Sequence, residues 1–317
     1  MNPLRVAVLS GGLSLEREVS LRSGARVAEA LEERGHTVTR LDLDEQLARS
    51  LLEGSFDLVY LALHGRAGED GTIQGLLEIL GIPYTGPDSV ASALAWDKAV
   101  AKGLFRRAGL ATPDWIALSS SAIRDMGAAR TLDRVMERLG APLIVKPVQG
   151  GASLGVRRVA SATELPPALV ASYSYHDVVL VERFVAGREV AVSIVDGEVL
   201  PPVEAVPRAG SYDFAARYSH GATEFYAPAR LDEPVLDACR DTARRAYDLI
   251  GCRHVTRADL IVDDDGTPWL LELDTCPGMT ETSLLPMAAR AHGWDFAELC
   301  DRIARSAVRD AADLVSG

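Results

Sequence analysis

The chain has 317 residues, 48% of them hydrophobic and 25% charged, and a formal net charge of −12. That length allows two or three domains with ample core, the acidic balance argues against a general nucleic-acid binder, and no apolar run approaches the length of a membrane span. The opening, MNPLRVAVLSGG, runs straight into a strand without the pattern of a signal peptide, and the four cysteines lack metal-type spacing. Reduced thiols and a cytoplasmic location are therefore expected.

Residues 5–9, RVAVL, read as a buried parallel strand, followed by an SGG turn and a helix that stops at Gly35. HTVTRLDL and FDLVYLAL are the next two strands, the latter ending at His64-Gly65. This alternation predicts an α/β region with a doubly wound parallel sheet and ligands at the carboxyl ends of its strands. The GxGxxG fingerprint is absent, which excludes a nicotinamide cofactor. After GIPYTGP, residues 89–109 read as one helix carrying Lys98. APLIVKP is a strand ending at Lys146-Pro147, VQGGASLG a glycine-rich loop and VVLVERFV another strand. REVAVSIVDGEVLPPVEAV is a hairpin turning at Asp196-Gly197. Residues 207–229 lack periodicity, and so long a connection is often a lid or binding loop. A helix over residues 233–251, a hairpin over 255–274, a helix starting near Ser283 and a final surface helix complete the chain.

The hairpin carries the strongest chemical signal. A turn symmetric about Asp265–Gly266 sets Asp259 opposite Glu272 and Arg257 opposite Asp274, all on one face. Ala258, Leu260, Val262, Leu271 and Leu273 then form the face that can be buried. Three carboxylates facing one space suit a hard cation such as Mg²⁺, and Arg257 beside them points to an anion near the metal. The Asp263–Asp265 run lacks calcium-loop spacing and reads as turn chemistry. The flap glycines Gly150, Gly151 and Gly155 could let backbone N–H groups approach a phosphate, or could form a plain turn. Lys146 in an apolar strand needs a partner. Lys98 is either solvated or functional, and His64 either a site group or a hydrogen-bonded structural histidine. Glu16 at a helix start fits the macrodipole without further function. Arg217 and Tyr218 lie in the irregular segment. Phosphate lysines, a glycine flap and a carboxylate face together imply nucleotide phosphate chemistry.

The blocks GGLSLEREVSLRSG, LHGRAGEDGTIQGLLEILGIPYTG, SALAWDKAVAK, LIVKPVQGGASLGV, VERFVAGREVAV, YDFAARY, TRADLIV and LELDTCPGMTETSLLPMAA occur in one order along the chain. Together they resemble the D-alanine–D-alanine ligases of the ATP-grasp superfamily. The resemblance implies a Rossmann-like unit over residues 1–87 and two α+β ATP-grasp subdomains, 88–184 and 185–317, with ATP between them. The implied activity phosphorylates one D-alanine carboxylate, and the second D-alanine's amine attacks the acyl phosphate, a step of peptidoglycan synthesis. By motif, Lys98 and Lys146 would hold ATP phosphates, with Arg217, Gly151 and Ser153 beside them. Glu182, Val185 and Glu189 would contact adenine and ribose, and Asp259, Glu272 and Asp274 would hold two Mg²⁺, or Mn²⁺ in their place. Glu16 would receive the first substrate's ammonium near His64. Arg257 and the Gly278 amide would hold the oxyanion, Ser283 and Leu284 the second substrate's carboxylate, and Tyr218 would be the lid tyrosine. A homodimer acting on small-molecule amino acids follows by the same resemblance.

Three positions depart from the family pattern. Asp274 stands where the family usually has Asn, Ala152 where it has a flap serine linked to Glu16 and Tyr218, and Arg217 where it has Lys. A weakened flap latch is therefore expected. The alternatives are a ligase of a secondary-metabolite pathway that joins a different amino acid pair, and a non-catalytic nucleotide-binding relative.

Overall fold

The computed structural model describes residues 2–316 apart from 209–211, 213 and 220, and leaves out the side chains at 126, 128, 129, 214, 218 and 313–316. Its first unit alternates strand and helix: β1 (Arg5–Ser10), α1 (Arg17–Glu33), β2 (Thr37–Asp42), α2 (Leu47–Glu53), β3 (Leu58–Leu61) and α3 (Thr72–Leu80). The strands pair in parallel in the order β2-β1-β3. Val6 and Val8 point to one core and Ala7 and Leu9 to another, as a sheet covered on both faces requires. The expected parallel sheet is present.

The predicted single helix over residues 89–109 is two helices, α4 (Ser89–Trp96) and α5 (Lys98–Arg107). Asp97 separates them, because its side chain accepts hydrogen bonds from the Ala99 and Val100 amides and caps α5. Lys98 thereby becomes the first residue of a helix, with its backbone N–H bonded to the Val148 carbonyl. Next come β4 (Trp115–Ser119), α6 (Ser120–Met126), α7 (Ala128–Leu139), β5 (Leu143–Pro147), β6 (Arg157–Val159), α8 (Leu165–Tyr173) and β7 (Val178–Arg183). Their strands form an antiparallel sheet in the order β4-β7-β5-β6.

A third sheet holds β8 (Arg188–Val195), β9 (Glu198–Val199), β10 (Val203–Pro207), β11 (Thr223–Tyr226), β12 (Val255–Val262) and β13 (Pro268–Asp274), in the order β11-β10-β8-β12-β13 with β9 on β8. The segment read as irregular contains a short helix, α9 (Phe214–Tyr218), and β11. Helix α10 (Glu233–Ile250) lies on the apolar face of this sheet. Helices α11 (Leu284–His292) and α12 (Phe296–Ser316) end the chain. α12 is more than a surface helix: Leu299, Cys300, Ile303 and Ala304 are buried in one core with Val27 and Leu31 of α1. The last helix thus ties the third unit to the first. All four cysteines are free and buried.

In the β12–β13 hairpin Arg257 pairs with Asp274 and Asp259 with Glu272, the expected register. A bulge after Asp259 shifts the rest, so Leu260 pairs with Leu270. Leu270 therefore enters the core and Leu271, expected there, borders the cleft instead. Asp263 accepts from the Asp265 and Thr267 amides and from the Trp269 indole, in keeping with turn chemistry.

Replacing Asp97 with Ala should lower stability by about 1 kcal/mol through loss of the cap, read as a lower urea midpoint. Unchanged stability would mean that α5 starts without it.

Candidate active site

Two cavities share part of their lining. One, between the two antiparallel sheets, is lined by Ile144, Lys146, Phe184, Val185, Ile261 and Leu271 and is largely apolar, with charged side chains also on its wall. The other is lined by Glu16, His64, Glu69, Arg257, Asp274 and Gly278. Lys98, Gly150, Gly151, Arg217 and Glu272 border both, and so mark the junction.

Each hairpin carboxylate has a cation beside it. Arg257, buried, donates to Asp259 at 2.6 and 2.9 Å and lies 3.0 Å from Asp274. Glu272 lies 3.2 Å from the Lys98 ammonium, and Asp259 4.0 Å from Arg217. Burial raises the Glu272 carboxyl, but Lys98, Lys146 and Arg217 outweigh it and bring it to about 2. Asp274 is shifted upward by burial, against the pull of Arg257, and by Asp259 and Glu272. It also accepts from the Cys276 amide at 3.0 Å. Asp259 and Glu272 border the first cavity and Asp274 only the second. Among the described residues no three acidic, His or Cys groups stand close enough together to hold a cation as they lie. The donors are nonetheless all hard carboxylates, and the negative neighbours Asp259 and Glu272, which add to burial in raising Asp274, are charges that a divalent cation would offset.

The flap rests on the cleft. Lys98 donates to the Gly150 carbonyl at 2.6 Å. A Cβ at Gly151 would sit 2.5 Å from a Glu16 carboxylate oxygen, so a side chain there would displace that carboxylate. Ala152 and Ser153 both have positive φ, 49° and 56°. Ala152 offers no hydroxyl, but Ser153 beside it donates to the Tyr212 carbonyl at 3.2 Å and accepts from Arg217 Nε at 3.2 Å. Arg217 in turn lies over the Tyr212 ring. The flap is therefore latched through position 153, with Tyr212 as the described lid aromatic. Tyr218 closes α9, and its side chain lies outside the described residues.

Glu182 borders the first cavity, but its carboxylate is taken by Lys146 at 2.7 Å and Lys102 at 3.1 Å. Glu189 also faces this cavity, raised to about 7 by burial and by Asp259 against Arg217. In the second cavity Glu16 is raised to about 7, first by burial and then by Asp274, with Arg217 and Lys98 opposing. Glu69, absent from the expected set, is held well above its ordinary value by burial, Asp274 and Glu16. Its only sequence signal was its place in HGRAGEDG, at a strand's carboxyl end.

His64 lines the second cavity and is hydrogen-bonded on both ring nitrogens. Its Nδ1 lies 3.1 Å from the Cys276 carbonyl, which can only accept, so Nδ1 carries the proton. Nε2 then accepts from Ser23 Oγ at 3.0 Å, and Ser23 accepts from the Met279 amide at 3.2 Å. Burial holds the ring down at about 4, which keeps it neutral. His64 therefore braces the loop that carries Gly278. Ser283 precedes α11, with its hydroxyl accepting from the Thr280 amide at 3.0 Å. A Cβ at Gly278 would fall 2.8 Å from that hydroxyl. Leu284 opens the helix and borders both cavities.

Glu16 sets a pH dependence. Its carboxyl is raised from 4.5 to about 7 in the folded chain, so the folded state keeps a proton that the unfolded chain releases. Its contribution to stability is full below about 4.5 and lost as pH rises through about 7. Between pH 5 and 8 the unaltered chain should lose roughly 1–3 kcal/mol relative to Glu16→Gln. Parallel urea midpoints of the two across this range would show the carboxyl to be unperturbed.

Comparisons with known proteins converge. Family models described as D-ala D-ala ligase N-terminus and D-ala D-ala ligase C-terminus match residues 44–87 and 104–305. A D-alanine–D-alanine ligase of Anaeromyxobacter sp. (strain K) is 46% identical over 94% of this chain and 95% of its own. The one from Magnetococcus marinus is 44% identical, covering 96% and 97%. Among solved structures, the Bacillus anthracis D-alanine–D-alanine ligase complexed with ATP is similar with a TM-score of 0.84 and 33% identity, covering 99% and 100%. The VanG D-Ala:D-Ser ligase from Enterococcus faecalis has a TM-score of 0.81 and 27% identity, covering 95% and 98%.

Proposed function

The chain belongs to the D-alanine–D-alanine ligase family, and from that premise we propose that it joins two D-alanines at the expense of ATP for peptidoglycan synthesis. The observation that carries this reading is the junction: Lys98, Arg217 and Glu272 are shared by a largely apolar cavity and an acidic one. ATP fits the first, with adenine between Ile144, Phe184 and Leu271 and phosphates toward Lys98, Lys146 and Arg217. With Glu182 committed to two lysines, the Arg183–Val185 backbone is the better adenine partner, and Glu189 the ribose partner. The flap at Gly151 and Ser153 closes over the phosphates.

The acidic cavity takes the amino acids. Glu16, with Glu69 behind it, receives the first ammonium. The first carboxylate then lies at the junction, where one of its oxygens attacks the terminal phosphorus and ADP leaves. The second substrate, as the free amine once its ammonium proton has passed to solvent, attacks the resulting acyl phosphate at its carbonyl carbon, and the proton shed on forming the amide leaves with the phosphate. Arg257 and the Gly278 N–H hold the oxyanion, and phosphate departs with the bridging oxygen. A preformed donor of this kind is worth about 3 kcal/mol in the transition state. Arg257 suits this role because Asp259 and Asp274 fix its guanidinium before substrate arrives. The start of α11, at Ser283 and Leu284, holds the second carboxylate. His64 acts by position, since both ring nitrogens are engaged. Asp259 and Glu272, with Asp274 beyond Arg257, are the residues to hold Mg²⁺, which supplies charge neutralisation to the phosphate oxygens when bound. The units 1–87, 88–184 and 185–317, a cytoplasmic location and a homodimer belong to the same reading.

Ala152, Arg217 and Asp274 favour one second reading, in which the same chemistry joins a different amino acid pair. Phosphate release from ATP and Mg²⁺, screened over amino acids singly and in pairs, separates the two. D-alanine alone should give phosphate and the dipeptide. Turnover only with a mixed pair would establish the second reading, and none with any pair would exclude both.

A further inference from the structure

Lys102 is fully buried and borders neither cavity. It lies on α5 one turn after Lys98. Its ammonium donates to Thr112 Oγ1 at 2.6 Å, lies 3.1 Å from one Glu182 oxygen and stands 5.3 Å from the Trp115 ring centre. The other Glu182 oxygen accepts from Lys146 at 2.7 Å. One carboxylate thus sits between two ammonium groups, one of them on the cavity wall and the other fully buried. Burying a second ammonium is expensive, and a methionine would fill a similar volume without that cost. Burial, with Lys146 nearby, pulls Lys102 down to about 8 despite Glu182.

The arrangement makes sense if Glu182 needs both lysines. Each lysine stands beside a different oxygen of Glu182, Lys146 by Oε1 and Lys102 by Oε2. With Lys102 on the far side, Glu182 gives Lys146 one oxygen only, and the Lys146 ammonium keeps donors for the cavity it borders. We propose that Lys102 is a positioning residue of the nucleotide site: by holding one oxygen of Glu182 it keeps Lys146 available to the phosphates of the nucleotide. Lys102 touches no substrate and acts only through Glu182. The inference rests on the ATP-dependent reading above and adds a buried residue to it.

The test is MgATP binding by calorimetry, together with steady-state KM and kcat. Lys102→Met should raise the MgATP Kd and the KM for ATP about tenfold, with the KM for D-alanine unchanged. In a Glu182→Gln background the same substitution should add almost nothing, because its route is gone. A lower Tm with wild-type MgATP affinity would overturn the proposal, as would a loss that adds in full to that of Glu182→Gln. Should Lys102→Met not fold, Lys102→Gln keeps a donor for Thr112 while removing the charge, and the same tenfold loss is expected of it. No MgATP binding by the unaltered chain would overturn the functional reading itself, and this inference with it.

Discussion

The cross-strand pairing of Arg257 with Asp274 and of Asp259 with Glu272 is the constraint on which the site depends. Antiparallel partners share a face, so the pairing places three carboxylates and a guanidinium on one face of the hairpin, along the two adjoining cavities. Such a face survives only if its charges are balanced. Arg257 balances two of the carboxylates and Lys98 the third, and Lys98 reaches Glu272 because Asp97 starts a helix at that point. The ion pairs also preorganise the chemistry. Arg257 is aimed by two acids, and under the proposed function the lysines would meet the phosphate charge with little reorganisation.

The acidic cavity is completed by the first unit. Glu16, Glu69 and His64 come from its loops, and the chain returns to it at the end through α12. The link from His64 through Ser23 to the Met279 amide spans the first and third units, and Arg26 donates to the Met279 carbonyl from the same helix as Ser23. The Gly278 loop is therefore set by side chains more than 200 positions away in sequence. A substitution at Ser23 or Arg26 of α1 would shift the Gly278 loop.

Much of this was legible in the sequence, and the misses have physical causes. The register around Arg257 and Asp274 follows from period-2 alternation and a turn of known chemistry. The bulge after Asp259 leaves no mark on that alternation, so Leu270 and Leu271 exchanged faces. The continuous helical pattern on either side of Asp97 hid the break that its capping side chain makes. The loss of the latch hydroxyl at Ala152 was readable, whereas the replacement at Ser153 depends on where Arg217 and Tyr212 fold back. Lys102 resembles any helical lysine, because its partner Glu182 is 80 positions away. His64 could be decided only by its neighbours on Ser23 and Cys276.

The central claim is that the two cavities form one reaction path, in which an amino acid carboxylate takes the phosphoryl group at the junction. The most direct measurement follows oxygen. With D-alanine labelled by ¹⁸O in its carboxylate, each phosphate released should carry one labelled oxygen, since the bridging oxygen leaves with phosphorus when the amine attacks. Unlabelled phosphate released alongside dipeptide would contradict the account, because the carboxylate would then never have been joined to phosphorus.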